Sequence, residues 1–304
     1  LYMLRLTEVR RRTLWAYVFL APSLLFFLAF VAVPIVYAFL MSLYNWPLGA
    51  AQSRFFLGLR NYSDILHEPL FLKSLANTGR FVAYMLPPTL ILALVLAMAL
   101  NSPLVRARGL FRTVYFVPVV TNLVGAAFVW RWLFEPSAGP VNYLLRLLHL
   151  KGPGWLTSPV WAPVAVSIVG IWRDAGFYMV IFLAGLQTIP REFYEAAMVD
   201  GANSWQRFRH ITVPLLNPTI VLAVVMAIIS DLQIFTQVWV MTGGGTTVPG
   251  GPLHSTRTLV LHVYQAAFRT LAMGYASAGA FVLFAIIFVF TLVQIRILER
   301  PFEY

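Results

Sequence analysis

Three ionisable residues, Arg173, Asp174 and Asp231, stand inside long apolar stretches of a 304-residue chain. Ionised groups in such surroundings are costly and must be paired or put to use. Asn122, Trp172, Phe177, Gln233, Phe235 and Gln237 share these stretches. The set suits one kind of chemistry: planar amides and carboxylates hydrogen-bond hydroxyl groups while aromatic faces cover the apolar face of a ring, so a cavity lined this way would hold a hydroxylated solute. Alternatively the charges serve the structure. At ~1.5 Å per helical residue, Arg173 and Asp231 fall at similar depth and can form an interhelical ion pair. Arg173 and Asp174 project about 100° apart on a helix and are not expected to pair with each other, so the ion-pair arrangement leaves Asp174 without a role. Arg173 could equally face an anionic solute.

Other chemistries lack their residues. There is no cysteine, which removes thiol catalysis, disulfides and thiolate metal sites. His67, His149, His210, His254 and His262 never fall at a ligand spacing on one element, so no metal site is expected. Gly243, Gly244 and Gly245, followed by Pro249, Gly250, Gly251 and Pro252, read as a loop; a phosphate cradle would need a Gly-Lys-Ser/Thr ending, and the only lysines are Lys73 and Lys151. The chain therefore carries no machinery for hydrolysing ATP, and no bound cofactor or catalytic residue is expected in it. A membrane-embedded transferase would need clustered carboxylates or a metal site at one face, and a secondary transporter would show a duplicated half with broken helices; the sequence displays neither.

The elements that position the buried charges are membrane spans. Hydrophobic residues make up 60% and charged residues 11%, and the mean hydropathy is +0.78. No soluble domain of this size tolerates that ratio. Runs long enough to cross a bilayer, about 20 residues, occur near 14–44, 78–100, 113–134, 160–186, 217–240 and 272–297. The expected fold is an all-α membrane protein of six transmembrane helices, a single transmembrane domain over 1–304. The first run follows Arg10, Arg11 and Arg12, shows no small-residue cleavage pattern and reads as an uncleaved signal anchor, which Pro22 and Pro34 would interrupt or kink.

The formal net charge of +11 is spread as short clusters between spans, which argues against nucleic acid. Alternating loops divide the basic residues 12 against 9, and the larger group, including Arg106, Arg108, Arg112, Arg191, Arg207 and Arg209, sits in the shorter loops. By the positive-inside rule that side is cytoplasmic, and both termini belong to it. Outside, Ser63 to Ala76 and residues 141–150 have patterns of helices lying in the interface.

The most informative polar segment is 190–214, between the fourth and fifth spans. Pro190 suits a first helical turn, and Glu192 and Glu195 favour its positive end. Asp200-Gly201 breaks the helix, Asn203 or Ser204 can cap a second one, and Pro214 is expected to end it. Phe193, Ala196 and Ala197 share one face, small enough to enter a groove on a partner.

The residues Glu195-Ala196-Ala197, Asp200-Gly201-Ala202, Ile211 and Pro214-Leu215 resemble the EAA loop of bacterial binding-protein-dependent ABC importer permeases. Leu20-Ala21-Pro22-Ser23, Gly58-Leu59-Arg60-Asn61-Tyr62, Ala76-Asn77-Thr78 and Thr242-Gly243-Gly244-Gly245 with Thr258-Leu259-Val260 are similar to the carbohydrate branch, the relatives of the maltose and glycerol-3-phosphate permeases. The resemblance covers nearly the whole chain. It implies a type I importer permease in the bacterial inner membrane, with a second, usually distinct, permease, two ATPase subunits that hold the ATP and Mg, and an external solute-binding protein. It further implies that Glu195, Ala196, Ala197, Asp200 and Gly201 couple to the ATPase, and that the spans bearing Asn122, Asp174 and Asp231 contact a sugar, glycerol phosphate or polyol.

Overall fold

The computed structural model describes residues 2–49, 54–102, 105–243 and 250–298. Gly244, Gly245 and Pro249 of the glycine-rich segment lie outside the described residues. The chain divides into two bodies, Leu1–Leu66 with Tyr264–Val282, and His67–Val263 with Leu283–Tyr304.

In the first body α1 (Tyr2–Phe27) passes through a π turn, Leu28–Ala32, into α2 (Val33–Ser42). The interruption expected at Pro22 and Pro34 does not occur, and Arg10–Ser42 forms one apolar helical span. Pro34 cannot donate to a carbonyl four residues back, and the wide turn just before it relieves that demand. A two-residue hairpin follows, β1 (Tyr44–Asn45) antiparallel to β2 (Phe55–Phe56). In α3 (Arg60–His67), the Asn61 amide donates to the carbonyls of Ser42 at 2.8 Å and Tyr44 at 3.0 Å. Backbone bonds from Leu48 to Leu271 (2.8 Å) and from Gly274 to Trp46 (3.3 Å) tie this corner to the later segment of the same body.

The second body contains α4 (Pro69–Asn101), α5 (Arg108–Val120), α6 (Leu123–Leu133), α7 (Pro140–Leu147) and α8 (Trp161–Thr188). Beyond them come α9 (Arg191–Val199), α10 (Ser204–Arg207), α11 (Val213–Leu215), α12 (Asn217–Leu232) and α13 (Thr236–Val238). Two further helices, α14 (Leu259–Phe268) and α15 (Met273–Leu298), carry residues of both bodies. The expected 63–76 helix is not one element: Glu68 is extended (φ −74°, ψ 119°) because Pro69 follows it, and α4 starts there. The 141–150 helix is present as α7, whereas α14 was not anticipated. Among the described residues five helices are long and apolar enough to cross a membrane, and α5 with α6 makes a sixth if that bent pair is one span. The apolar run near 113–134 is built as this bent pair, with a turn of 94° at Thr121-Asn122. The fifth also breaks, since α12 ends at Leu232 and Gln233–Phe235 are not helical.

The most extensive pairing is between α4 and α8. Small residues on α8 permit close approach: a Cβ on Gly170 would meet the Met85 side chain, and one on Gly176 would land on the Tyr115 carbonyl oxygen of α5. Along α8 the buried apolar residues form two clusters. Val166 and Val169 join Phe81, Met85, Ile234 and Val238, while Tyr178, Met179 and Phe182 join Ala93, Ala97, Ala223 and Ala227. Arg173 and Asp174 fall in the gap between the clusters on α8, as Asp231 does on α12.

Candidate functional site

The buried charges do not pair as the depth comparison suggested. Arg173 Nε donates to Asp174 Oδ1 at 2.6 Å and its Nη2 to Oδ2 at 3.0 Å, a two-pronged pair between sequence neighbours. The 100° offset between adjacent helical positions is bridged by the length of the arginine stem, which lets the guanidinium swing back over its neighbour. The expected Arg173 to Asp231 ion pair is absent among the described residues; no Arg, Lys or His nitrogen lies within 4.0 Å of Asp231, which is 5% exposed.

A cavity of ≈ 210 Å³ opens at the seam between the apolar clusters, with Arg173, Asp174, Asp231, Gln233, Phe235 and Gln237 in its wall. Met85, Leu123, Ser230, Ile234 and Thr236 complete its lining. An adjoining cavity of ≈ 360 Å³ shares Leu123, Arg173, Asp174 and Ser230 with it and adds Phe177 and Thr121. Both broken spans reach this region, through Leu123 at the start of α6 and Gln233–Gln237 beyond α12. Irregular backbone at bilayer depth is tolerated where it lines a cavity, and the position of the breaks follows that rule.

Of the residues singled out from sequence, Arg173, Asp174, Asp231, Gln233, Phe235 and Gln237 converge on the smaller cavity and Phe177 on the larger. Asn122 lines neither: it is exposed and caps α6, its Oδ1 accepting from the amides of Val124 (3.0 Å) and Gly125 (3.2 Å). Trp172 packs edge-on against Trp130 at 5.6 Å and lies outside both linings. Ser230 and Thr236 were legible as polar neighbours of Asp231 and Gln233, but nothing separates Met85 from lipid-facing apolar residues in sequence. A wider cleft, ≈ 630 Å³ beside Trp132, Glu135 and Thr242, does not touch the buried charges. Glu135 at its edge has its carboxyl held below the usual range by the Ala138 amide and the Ser137 hydroxyl.

The 190–214 segment is built as two helices around a fixed turn. Asp200 closes α9; the Gly201 amide donates to Met198 at 3.1 Å and the Ala202 amide to Ala197 at 2.8 Å, with Gly201 at φ 78°. This pair of bonds is a Schellman motif, and it needs the left-handed residue that glycine supplies. Asn203 caps α10 through a reciprocal bond with Gln206. Pro214 does not end the second helix: helical structure runs through a π turn, Phe208–Thr212, into α11. The π turn stands in the same register before Pro214 as Leu28–Ala32 does before Pro34, and relieves the same missing donor. A bond between the Tyr194 and Thr212 hydroxyls (3.0 Å) links the two helices. Phe193, Glu195 and Ala196 are exposed and Ala197 half-buried. Phe193, Met198 and Val199 are 48%, 51% and 88% exposed.

A buried polar network fastens the start of α14 to α4. The Asn77 amide donates to the carbonyls of His254 (2.8 Å) and Arg257 (3.0 Å), and the Leu259 amide donates to Thr78 Oγ1 at 3.0 Å. Arg257 Nη2 lies 3.3 Å from His262 Nδ1, which must accept because a guanidinium has no lone pair to offer. The ring proton then sits on Nε2, 3.4 Å from Glu68. Burial lowers the His262 pKa to about 4, opposed by Glu68 and reinforced by Arg257, so the contact with Glu68 is made by a neutral ring at pH 7.

Residues 79–301 match the family described as binding-protein-dependent transport system inner membrane component. The lactose transport system permease protein LacF of Rhizobium radiobacter is 36% identical over 280 residues, 91% of this chain and 92% of its own length. The trehalose/maltose transport system permease protein MalF of Thermococcus litoralis is 32% identical over 281 residues, 92% of each. A chain from the solved bacterial alginate ABC transporter, in complex with an alginate pentasaccharide-bound periplasmic protein, superposes with a TM-score of 0.81 over 98% of this chain and 100% of that one at 23% identity, a likeness of fold. With the apolar helices and the 190–214 loop, these matches establish that the chain belongs to the binding-protein-dependent inner membrane component family and is a membrane-spanning permease subunit of an ABC importer.

Proposed function

We propose that this subunit forms part of the path of a sugar or sugar-like solute across the bacterial inner membrane and transmits to it the movements of ATPase partners docked on the 190–214 loop. The observation that carries the proposal is the construction of α9. Its end is fixed by the Gly201 turn and its side by the Tyr194 to Thr212 bond, yet it shows Phe193, Met198 and Val199 to solvent. A rigid helix displaying apolar side chains in a polar loop suits a groove on another protein. Glu195, Ala196, Ala197, Asp200 and Gly201 form this coupling element.

ATP and Mg belong to the two ATPase subunits, and this chain binds no cofactor. The remaining partners are a second, distinct permease subunit and an external solute-binding protein, and both termini are cytoplasmic. The named substrates of the two sequence relatives support a sugar; a polyol would use the same hydrogen-bonding groups. Arg173, Asp174, Asp231, Gln233 and Phe235 line the path, with Phe177 beside them and Asn122 and Trp172 supporting its wall.

The test is the reconstituted importer carrying Ala197→Trp or Val199→Asp, read by solute transport, solute-stimulated ATP hydrolysis and recovery of the ATPase on a tagged permease. Both variants should insert normally and lose ATPase recovery and transport together. Transport at the unmodified rate with the ATPase bound normally in both would remove the loop from coupling.

A further inference from the structure

Two elements run from the small cavity to the ≈ 630 Å³ cleft. On α6, Leu123 lines the cavity, while Phe128, Arg131 and Trp132, spaced i, i+3 and i+4 on one face, line the cleft with Glu135 just past the helix end. On the other, Thr236 and Gln237 line the cavity and Met241 and Thr242 the cleft. At ~1.5 Å per helical residue, Trp132 stands ~14 Å beyond Leu123. Leu156 and Thr157, which precede α8, close a further side of the cleft. The cleft therefore lies at the end of α8 opposite to the 190–214 loop, and all of its lining belongs to the second body.

The lining carries recognition chemistry. Trp132 is 59% exposed, so its indole face is open to a ligand. The Glu135 carboxylate accepts from the amides of Ser137, at 2.9 Å, and Ala138, and from the Ser137 hydroxyl at 3.0 Å. These bonds fix its direction and hold it ionised, and its remaining lone pairs can accept from hydroxyl groups. A face turned to lipid would keep Phe128 and Trp132 but not a carboxylate beside them. The volume falls within the range of about 300–1,000 Å³ typical of small-molecule sites.

We infer that the cleft is a second, outer station for the solute, which holds a sugar ring with its apolar face on the Trp132 indole and its hydroxyl groups on the Glu135 carboxylate and the Thr157 hydroxyl. Aromatic face and fixed acceptor are the pair of contacts a pyranose demands. From there α6 leads the solute to the small cavity. The inference rests on the proposed transport of a sugar and adds a site to it.

Because the chain has no cysteine, an introduced one reports on a single place. Thr157→Cys marks the cleft and Ser230→Cys the small cavity, and both positions are exposed. The complex of permeases and ATPases in nanodiscs, without binding protein, is treated with methanethiosulfonate ethylammonium, and modification of this subunit is followed by mass spectrometry with and without lactose, trehalose or maltose. At least one sugar should slow modification of Thr157→Cys. Adding Trp132→Ala should raise the sugar concentration needed by about tenfold, and Trp132→Tyr should restore most of the protection. Protection at Ser230→Cys alone overturns the outer station and leaves the sugar path standing. Protection at neither position overturns both. Protection at Thr157→Cys that Trp132→Ala leaves unchanged also overturns the inference. So does a Trp132→Ala complex that loses capture of the solute-binding protein while free sugar protects nothing at Thr157→Cys, which would make the cleft a docking surface.

Discussion

Arg173 closes its guanidinium on the carboxylate of its immediate neighbour Asp174, at 2.6 and 3.0 Å, and among the described residues no cationic side chain lies within 4.0 Å of Asp231 on the facing helix. The arrangement reverses the dependence expected from helix depth. Asp174→Asn should strand a buried guanidinium and lower stability by about 3 kcal/mol or more. Asp231→Asn strands nothing, so folded yield should hold while solute handling changes. Yield and melting temperature by fluorescence-detected size exclusion check the pair, and an equal loss in both variants would contradict the pairing seen.

Two glycines separate steric from conformational demand. Gly176 has no room for a Cβ against the Tyr115 carbonyl, so Gly176→Ala must push α5 from α8, and a loss of about 1–3 kcal/mol in melting experiments is expected. Gly201 has nothing within 4 Å of such a Cβ but holds φ 78°. Gly201→Ala should therefore cost only about 1 kcal/mol of local strain, and Gly201→Val should retain the bound ATPase while losing solute stimulation of its hydrolysis. An intact melting temperature in Gly176→Ala would show that the helices separate freely.

The basic loops predict an orientation. A reporter inserted after Arg209 should be labelled as cytoplasmic and one after Gly250 as external. Reversed labelling would put the 190–214 loop on the wrong side for an ATPase.

His262 supplies a pH dependence. Its pKa of about 4 in the folded chain lies below the ordinary value of 6.5, so the unfolded chain binds the extra proton first as pH falls. The stability tied to this group is complete above about pH 6.5 and drains away between there and about pH 4. Melting temperature should fall across that window in the unmodified protein and fall less in His262→Gln, with Glu68 and Arg257 unchanged. Parallel curves for the two proteins would show that the ring is not buried neutral.

Class, span positions and the two-helix build of the 190–214 loop were legible in the sequence because each rests on local chemistry. A bilayer demands about 20 apolar residues per span, Asp200-Gly201 can only turn the chain, and Asn203 with Gln206 makes its capping box from residues three apart. The same locality made Arg173, Asp174 and Asp231 conspicuous, since charges in apolar runs need no partner in view to be noticed. Tertiary structure decided what they do. Whether Arg173 reaches its neighbour or the facing helix depends on rotamer and helix rotation, which periodicity does not encode. The 94° bend at Thr121-Asn122 and the break at Gln233–Phe235 depend on freed backbone groups finding partners elsewhere, as the Ile234 carbonyl does with the Thr258 hydroxyl at 3.0 Å. The fates of Pro34 and Pro214 turned on a preceding π turn, a widening of the backbone that no residue type announces. Sequence located the charges and the loop because those follow from what each residue can bear alone, while the cavity exists only where two apolar clusters stop short of each other.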